Sequence, residues 1–239
     1  LMRRAFAAEL APGPTRTDWR AWLSISLPLM LITAAEVVMQ SADVLAVSRF
    51  LSPAEVGIYY AAAKTMSLIL YVQYAVGSAM SHRFAAARAA GDTTALERAV
   101  RDSVHLTFWP SLAAGLVILA LGKPLLALFG SEFEQGFPAM LVLVVGFLAR
   151  SAIGPGEYLL RMLGGHRISA AIYVGSAITQ VVLCFLLTPV FGMLGAALGA
   201  SLALLVASGC NWYAARSRLG LEIGIWSNLR RNEPPAAAR

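Results

Sequence analysis

Six apolar runs of about 20 residues divide this 239-residue chain, and they constrain its fold more than any other feature. A helix needs roughly 20 consecutive, mostly apolar residues to cross the hydrocarbon core of a bilayer. The runs are, in chain order, Ala21–Gln40, Val56–Met80, Val104–Leu121, Gly136–Ile153, Ile168–Leu187 and Phe191–Ala215. Only 13% of the residues are charged, against roughly 25% in a soluble domain. The pattern predicts an all-α polytopic membrane protein, a bundle of six transmembrane helices, and excludes a soluble or a disordered chain.

The distribution of charge predicts the topology. Residues 1–20 are expected to form a cytoplasmic linker, residues 21–215 the transmembrane lobe, and residues 216–239 a cytoplasmic tail. Fifteen of the nineteen Lys and Arg residues lie in the linker, in the tail and in the loops after runs two and four. Cytoplasmic loops collect Lys and Arg, so both termini are expected to face the cytoplasm. Topology therefore explains the net charge of +6, and no nucleic-acid partner is predicted.

The opposite loops carry few cations. Arg49 and Lys123 are assigned to them, together with several acids that include Asp43 and Glu55. These residues are therefore expected in loops on the outer side of the membrane.

The loop between runs two and three contains a helix break and a helix start. Gly91-Asp92 interrupts a helix that is expected to continue through Phe84–Ala90. Thr94-Ala-Leu-Glu97 then has the Ser/Thr-x-x-Glu form of a capping box. Two interpretations remain open for the segment after the break: a short helix lying on the cytoplasmic leaflet, or a helix-turn-helix extension in water.

A series of small residues follows the short turn Thr188-Pro-Val-Phe-Gly-Met193. Gly192, Gly195 and Gly199 continue into Ala203 on one helix face, which lets another helix approach closely. Static packing within the bundle is the favoured interpretation, and an interface between moving lobes is the alternative.

The order and spacing of three segments resemble a known transporter family. They are Ser41–Lys64, the break Ala-Arg-Ala-Ala-Gly-Asp92, and Thr188-Pro-Val-Phe-Gly-Met-Leu-Gly-Ala-Ala197. From about Trp19 to Trp226 the chain resembles the carboxy-terminal half of a polysaccharide transporter. This is the O-antigen or oligosaccharide flippase branch of the multidrug/oligosaccharidyl-lipid/polysaccharide exporter superfamily. The resemblance implies two six-helix lobes around a central cavity, through which a lipid-linked sugar crosses the membrane by alternating access.

The resemblance also implies partners and a location. Such transporters need two lobes, and the opening Leu-Met-Arg-Arg-Ala-Phe resembles the linker that joins them. We therefore expect a fragment of a longer, two-lobed protein, with a half-transporter that dimerises as the alternative. Expected partners are the lipid-linked sugar, the phospholipid membrane, the amino-terminal lobe or a second copy, and glycosyltransferases or a polymerase of the same pathway. The expected location is a bacterial inner membrane.

Ionisable residues inside the runs are the main candidates for the substrate path, because each costs roughly 2.5–3.5 kcal/mol on insertion scales. Glu36 and Lys64 lie at similar depths, and we predict that they pair and face the cavity; a purely structural ion pair is the alternative. Arg150 and Arg161 are close to three helical turns apart and share a face if the break at Gly154-Pro-Gly156 is mild. Guanidinium groups bind phosphate oxygens bidentately, so these cations suit a diphosphate-linked sugar. For Arg161, snorkelling at the helix end is the alternative.

Uncharged polar and aromatic residues are weaker candidates. Gln73 and Gln180 are predicted along the sugar path, with hydrogen bonding between helices as the alternative. Tyr60, Tyr71 and Tyr74 are candidates for stacking on sugar rings, although Tyr60, near the outer boundary, also fits an interfacial belt.

No catalytic residue, metal site or cofactor is predicted. Cys184 and Cys210 lie within helices, and the histidines lack acidic partners at metal-ligand spacing. No Gly-rich phosphate loop or nucleophile elbow occurs, so enzyme activity is not expected. Three functions remain open: a lipid-linked oligosaccharide flippase, an ion-coupled multidrug or metabolite exporter with Glu36 as its coupling carboxylate, and a non-transporting scaffold in polysaccharide biosynthesis.

Overall fold

The chain folds into a helical bundle. The computed structural model describes residues 19–153, 160, 165–219 and 224–225, and within these ranges it contains helices and no strand. The helices are α1 (Trp19–Met39), α2 (Ala42–Phe50), α3 (Pro53–Ser67), α4 (Ile69–Ala89), α5 (Thr93–Ala120), α6 (Gly122–Ala127), a 3₁₀ helix (Ser131–Gly136), α7 (Phe137–Ile153), α8 (His166–Phe191) and α9 (Met193–Leu219). The predicted all-α fold class is confirmed.

Five stretches of the described chain are helical, long and apolar enough to cross a bilayer. They are Trp22–Phe50, Thr94–Ala120, Ser131–Ile153, His166–Phe191 and Met193–Ser217. These correspond to predicted runs one, three, four, five and six. Run two corresponds instead to α3 and α4, two helices that meet at Leu68. Residues 1–18 of the predicted linker, and most of the predicted tail, lie outside the described residues.

The first span is longer than predicted, and it is broken. α1 ends at Met39, Gln40 and Ser41 form a turn, and α2 then continues to Phe50. The N–H of Ser41 bonds the carbonyl of Val38 at 3.1 Å, three residues back instead of four. The assignment of Asp43 to an outer loop was therefore wrong, because the helix resumes directly before this residue and carries it into the bundle.

A reciprocal capping box begins α3. The Oγ of Ser52 accepts a hydrogen bond from the N–H of Glu55 at 3.4 Å, and Oε2 of Glu55 accepts one from the N–H of Ser52 at 2.9 Å. Pro53 occupies the first helical position, where its missing N–H has no helical partner to lose. Hydrogen bonds from Ser52 stabilise the ionised carboxylate and lower the pKa of Glu55.

An antiparallel hairpin joins α4 to α5. Gly91 in the turn has φ of 65°, a left-handed conformation that favours glycine, so the predicted break is confirmed. The helix that follows is capped by Asp92, whose side chain accepts a hydrogen bond from the N–H of Ala95 at 2.8 Å. The predicted capping box at Thr94 was wrong, because Thr94 already lies inside α5. α5 is continuous from Thr93 to Ala120. The segment after the break is therefore part of a helix-turn-helix, and it does not form a separate short helix over these residues.

The small-residue face lies inside the bundle, between α8 and α9. Gly192 alone turns the chain, with φ of 59°. Gly195 packs against the backbone of Leu187, and a Cβ atom on Gly199 would lie 2.7 Å from the backbone nitrogen of Cys184. The described contacts are therefore those of static packing between neighbouring helices.

Among the residues that the structure describes, the buried core divides into three clusters. A large cluster around Tyr59 joins α2, α3, α6, α7, α9 and the start of α4 near the end of the bundle that contains Ser52, called here the Ser52 end. Toward the opposite end, called the Gly91 end, one small cluster around Tyr173 joins α1 to α8. Another, around Phe84, joins α4 to α5. α1 and α4 both reach the large cluster, through Met39 and Ile69, but toward the Gly91 end they pack into different small clusters, and the cavity lies between them.

Candidate functional site

A cavity of about 260 Å³ lies between α1 and α4 and is lined by charged and aromatic side chains. Helices from five of the six predicted runs contribute to its walls; α5 is the exception. Its charged, aromatic and amide-bearing lining residues include Glu36, Asp43, Lys64, Tyr71, Tyr74, Arg150, Tyr173 and Gln180. Two acids and two bases are present among the described residues of this lining, so their formal charges balance.

The break in the first span forms one wall of the cavity. Nε2 of Gln180, on α8, donates a hydrogen bond to the carbonyl of Met39 at the end of α1, at 2.7 Å. Irregular backbone at membrane depth is tolerated where protein groups satisfy it or where it lines a cavity, and both conditions hold here. Gln180 is therefore both a cavity-lining residue and a partner in a hydrogen bond between helices.

Asp43 is a buried carboxylate in the cavity wall, with 7% of its surface exposed. Its Oδ2 accepts a hydrogen bond from the hydroxyl of Tyr59 at 2.8 Å, and its Oδ1 accepts one from the N–H of Val44 at 2.9 Å. Lys64 lies close enough to interact with it electrostatically. Asp43 also lies in the first turn of α2, where the helix dipole favours a negative charge.

Sequence reasoning missed Asp43 as a cavity residue because the first apolar run was ended at Gln40. A signal was available in the next residues. Ala42–Val47 contains a single polar residue, Asp43, and such a segment is apolar enough to extend a buried helix.

Lys64 projects from α3 into the same cavity. Its Nζ lies 5.3 Å from the ring centroid of Tyr60, within the range of a cation–π interaction. Lys64 lies as many residues after the turn at Leu51–Ser52 as Met39 lies before it. The two residues are therefore at a similar depth in the bundle, beside the helix break. Glu36 lines the cavity one turn of α1 away, so both members of the predicted pair reach one cavity; their pairing and role stay predictions.

Arg150 occupies the last turn of α7 and also lines the cavity. Its Nη2 donates a hydrogen bond to the hydroxyl oxygen of Tyr173 at 3.4 Å. Arg161 lies outside the described residues, as does the predicted break at Gly154-Pro-Gly156. Gln73 is not among the residues that line the cavity. Its Nε2 donates a hydrogen bond to the Oγ of Ser151 at 2.8 Å and so connects α4 to α7.

This arrangement of side chains suits the binding and release of a charged solute better than the catalysis of bond making or breaking. The ammonium and guanidinium groups can bind phosphate or carboxylate oxygens. The two carboxylates can hold a proton or a cation, or can balance the bases. Among the residues that the structure describes, no cluster of three or more His, Cys, Asp and Glu is arranged to hold a metal ion.

Comparison with known proteins places the chain in a family. The MatE family model matches residues 28–186, more than half of the chain, and this range includes every charged residue of the cavity. No curated protein and no solved structure matches the chain. The chain therefore belongs to the MatE family of membrane transporters, within the multidrug/oligosaccharidyl-lipid/polysaccharide exporter superfamily.

Proposed function

We propose that this chain forms one lobe of an alternating-access transporter that moves a lipid-linked, diphosphate-bearing saccharide across a bacterial inner membrane. The observation that carries the proposal is the convergence of Lys64 and Arg150 on one cavity at membrane depth. Charges at this depth are costly and are retained where they face a polar pathway.

The charge balance of the cavity supports reversible binding of an anion. Asp43 and Glu36 line the cavity with Lys64 and Arg150, and they reduce the cost of keeping two bases away from water. A diphosphate competes with these carboxylates for the same two bases. Such competition weakens binding and permits release, which a transport cycle requires.

The size of the cavity supports a two-lobed assembly. Its volume of about 260 Å³ falls below the roughly 300–1,000 Å³ of small-molecule pockets. In the proposal, a second lobe closes the cavity; this lobe is either an amino-terminal half or a second copy. In the proposal both termini face the cytoplasm, because the arginine-rich loops favour that side.

The test measures binding of farnesyl diphosphate to the purified chain in lipid nanodiscs. Lys64→Gln and Arg150→Gln are each expected to weaken binding by roughly tenfold or more, because hydrogen bonds to charged groups contribute about 1.5–3 kcal/mol. Lys123→Gln is the matched control: Lys123 is the second lysine of the chain, its Nζ lies 5.7 Å from the ring of Phe137, and it does not line the cavity. Absence of binding, or equal losses in Lys64→Gln and Lys123→Gln, would contradict the proposal.

A flipping measurement separates transport from scaffolding. The chain is reconstituted into liposomes with a fluorescent prenyl diphosphate that carries one sugar, and an external quencher reports its transbilayer movement. Movement that depends on Lys64 and Arg150 supports transport. Cross-linking first establishes that the reconstituted assembly contains two lobes, and binding without movement in that assembly then favours a membrane scaffold of polysaccharide biosynthesis.

A second candidate function is ion-coupled export of drugs or metabolites, and the position of Asp43 favours it. The sequence indicated Glu36 as the coupling carboxylate, whereas the structure adds a more deeply buried acid beside the helix break. Asp43→Asn is then expected to abolish the dependence of ethidium efflux on a proton or sodium gradient. Glu134→Gln, which changes an exposed acid, is the control. Unchanged gradient dependence in Asp43→Asn would exclude this role for Asp43.

A further inference from the structure

Five described tyrosines, on α3, α4 and α8, fall into two groups with different surroundings. Tyr59 and Tyr173 are buried, and each hydroxyl makes a hydrogen bond inside the bundle. Tyr60, Tyr71 and Tyr74 expose 49%, 68% and 45% of their surface. These three all belong to α3 and α4, the helices of the second predicted run, whereas Tyr213, also exposed, lies on α9.

These exposed tyrosines lie on one narrow face together with Lys64 and Ser67. The spacing of the five positions alternates between four and three residues, which places them within about 80° of one another around a helix. Lys64, Ser67, Tyr71 and Tyr74 line the cavity, and the ring of Tyr60 lies beside the Lys64 ammonium. We call this face the tyrosine stripe. It crosses the junction at Leu68 and leads from Tyr60, nearer the Ser52 end, to Tyr74, nearer the Gly91 end.

The depth of the stripe distinguishes it from an interfacial aromatic belt. Trp22 is an exposed aromatic residue at the Gly91 end of the first span, where belt residues are expected. Trp22 lies as many residues before the turn at Leu51–Ser52 as residue 81 of α4 lies after it, so the two are at a similar depth. Tyr71 and Tyr74 are then about 15 and about 10 Å deeper than this level, at 1.5 Å per residue. Hydroxyl groups at such depth are costly in contact with lipid tails, so a polar cavity is their favourable surrounding.

The chemistry of the stripe suits a sugar ring. An aromatic ring has a negative face, and the C–H groups on one face of a pyranose carry a partial positive charge, so the two stack. The tyrosine and serine hydroxyls can at the same time donate to and accept from sugar hydroxyls. An organic cation is a poorer ligand, because Lys64 already occupies the face of Tyr60 and repels a second positive charge.

We infer that the tyrosine stripe is the saccharide subsite of the cavity, in which Tyr71 and Tyr74 stack on pyranose rings while Lys64 and Arg150 bind the diphosphate. The inference rests on the proposed function and specifies how its substrate is recognised. It divides the cavity into an anion subsite and a sugar subsite.

The experiment compares two probes: farnesyl diphosphate, and the same diphosphate linked to one N-acetylglucosamine. Affinities are measured for the full chain in nanodiscs. Tyr71→Leu and Tyr74→Leu are each expected to weaken binding of the sugar-bearing probe by roughly three- to tenfold and to leave binding of the bare diphosphate unchanged. Tyr71→Phe, which keeps the ring, is expected to retain most of the affinity. Tyr213→Leu is the matched control, because Tyr213 has the same 68% exposure but lies on α9 outside the cavity lining.

The outcomes separate this inference from the proposed function. If the unchanged chain binds neither probe, the proposed function fails. If the unchanged chain binds both probes, the anion subsite stands. The sugar subsite is then wrong if the tyrosine variants bind both probes equally weakly, if their affinities are unchanged, or if they behave like Tyr213→Leu. Tighter binding of tetraphenylphosphonium than of the sugar-bearing probe, with loss in Tyr71→Leu, would overturn the sugar assignment in favour of an organic cation.

Discussion

Gly199→Ala is expected to destabilise the chain because it adds a methyl group where two helices touch. In the structure a Cβ atom at this position would lie 2.7 Å from the backbone nitrogen, 2.8 Å from Sγ and 3.0 Å from Cα of Cys184. Two of these three neighbours are backbone atoms of α8, and Cys184 itself is fully buried. No rotation of a flexible side chain can relieve these contacts, so α8 and α9 must move apart.

The size of the effect follows from a comparison within the same helix. Gly209 also lies on α9, but a Cβ atom there would meet nothing within 4 Å. Both Gly→Ala changes gain about 1 kcal/mol of helix propensity, so this gain cancels when the two variants are compared. The difference between them reports the packing cost alone, which is roughly 1–3 kcal/mol for an overpacked core.

The assay is equilibrium unfolding of the chain in mixed detergent micelles, followed by far-UV circular dichroism. Gly209→Ala is expected to be as stable as the unchanged chain or slightly more stable. Gly199→Ala is expected to be less stable than Gly209→Ala by the packing cost. Equal stability of the two variants would refute the close approach of α8 and α9 at Cys184.

Three further predictions concern single hydrogen-bonded positions. Gln180→Met is expected to cost roughly 1–3 kcal/mol of stability, because it removes the donor to a buried carbonyl at the helix break; thermal unfolding in detergent measures this. Asp92→Ala is expected to cost about 1 kcal/mol through loss of the cap of α5, whereas Thr94→Ala is expected to be nearly neutral; the same unfolding assay compares them. The pKa of Glu55 is lowered in the folded chain, so its contribution to stability is present above its unfolded pKa and is lost as pH falls through its folded pKa. Glu55→Ala is therefore expected to be less stable than the unchanged chain at neutral pH and equally stable in acid, as thermal unfolding across pH would show.

Each of these three predictions has a result that contradicts it. A Gln180→Met chain of unchanged stability would mean that water or another donor satisfies the carbonyl of Met39. A larger loss in Thr94→Ala than in Asp92→Ala would restore the capping box that the sequence indicated. A stability deficit in Glu55→Ala that persists in strong acid would assign the effect to packing. A protonated carboxyl group no longer accepts, as an anion, the hydrogen bonds that the N–H and the hydroxyl of Ser52 donate to Oε2 of Glu55 at 2.9 and 2.7 Å.

Local patterns predicted the helices of this chain well where one stretch of sequence determined the outcome. The fourth run, Gly136–Ile153, ends at the residue where α7 ends and begins one residue before it. The break was predicted because Gly91-Asp92 interrupts a helical pattern, and the structure confirms it with a positive φ at Gly91, a property of a single residue. The candidates Glu36, Lys64, Arg150 and Gln180 were found because charge or an amide group inside an apolar run is conspicuous without any knowledge of neighbours.

The features that the sequence alone determined are those that the membrane imposes on each segment separately. Span length and the placement of cations follow from the thickness and charge of a bilayer, and both act on each segment independently of the others. The helix break after Met39, the burial of Asp43 and the cavity were decided only by the tertiary structure. The break is satisfied by Gln180, which is 141 positions away along the chain, and Asp43 is satisfied by Tyr59 on a separate helix. Such partners become available only when the helices pack, because a polar group in an apolar environment is stable where another segment supplies its hydrogen bond.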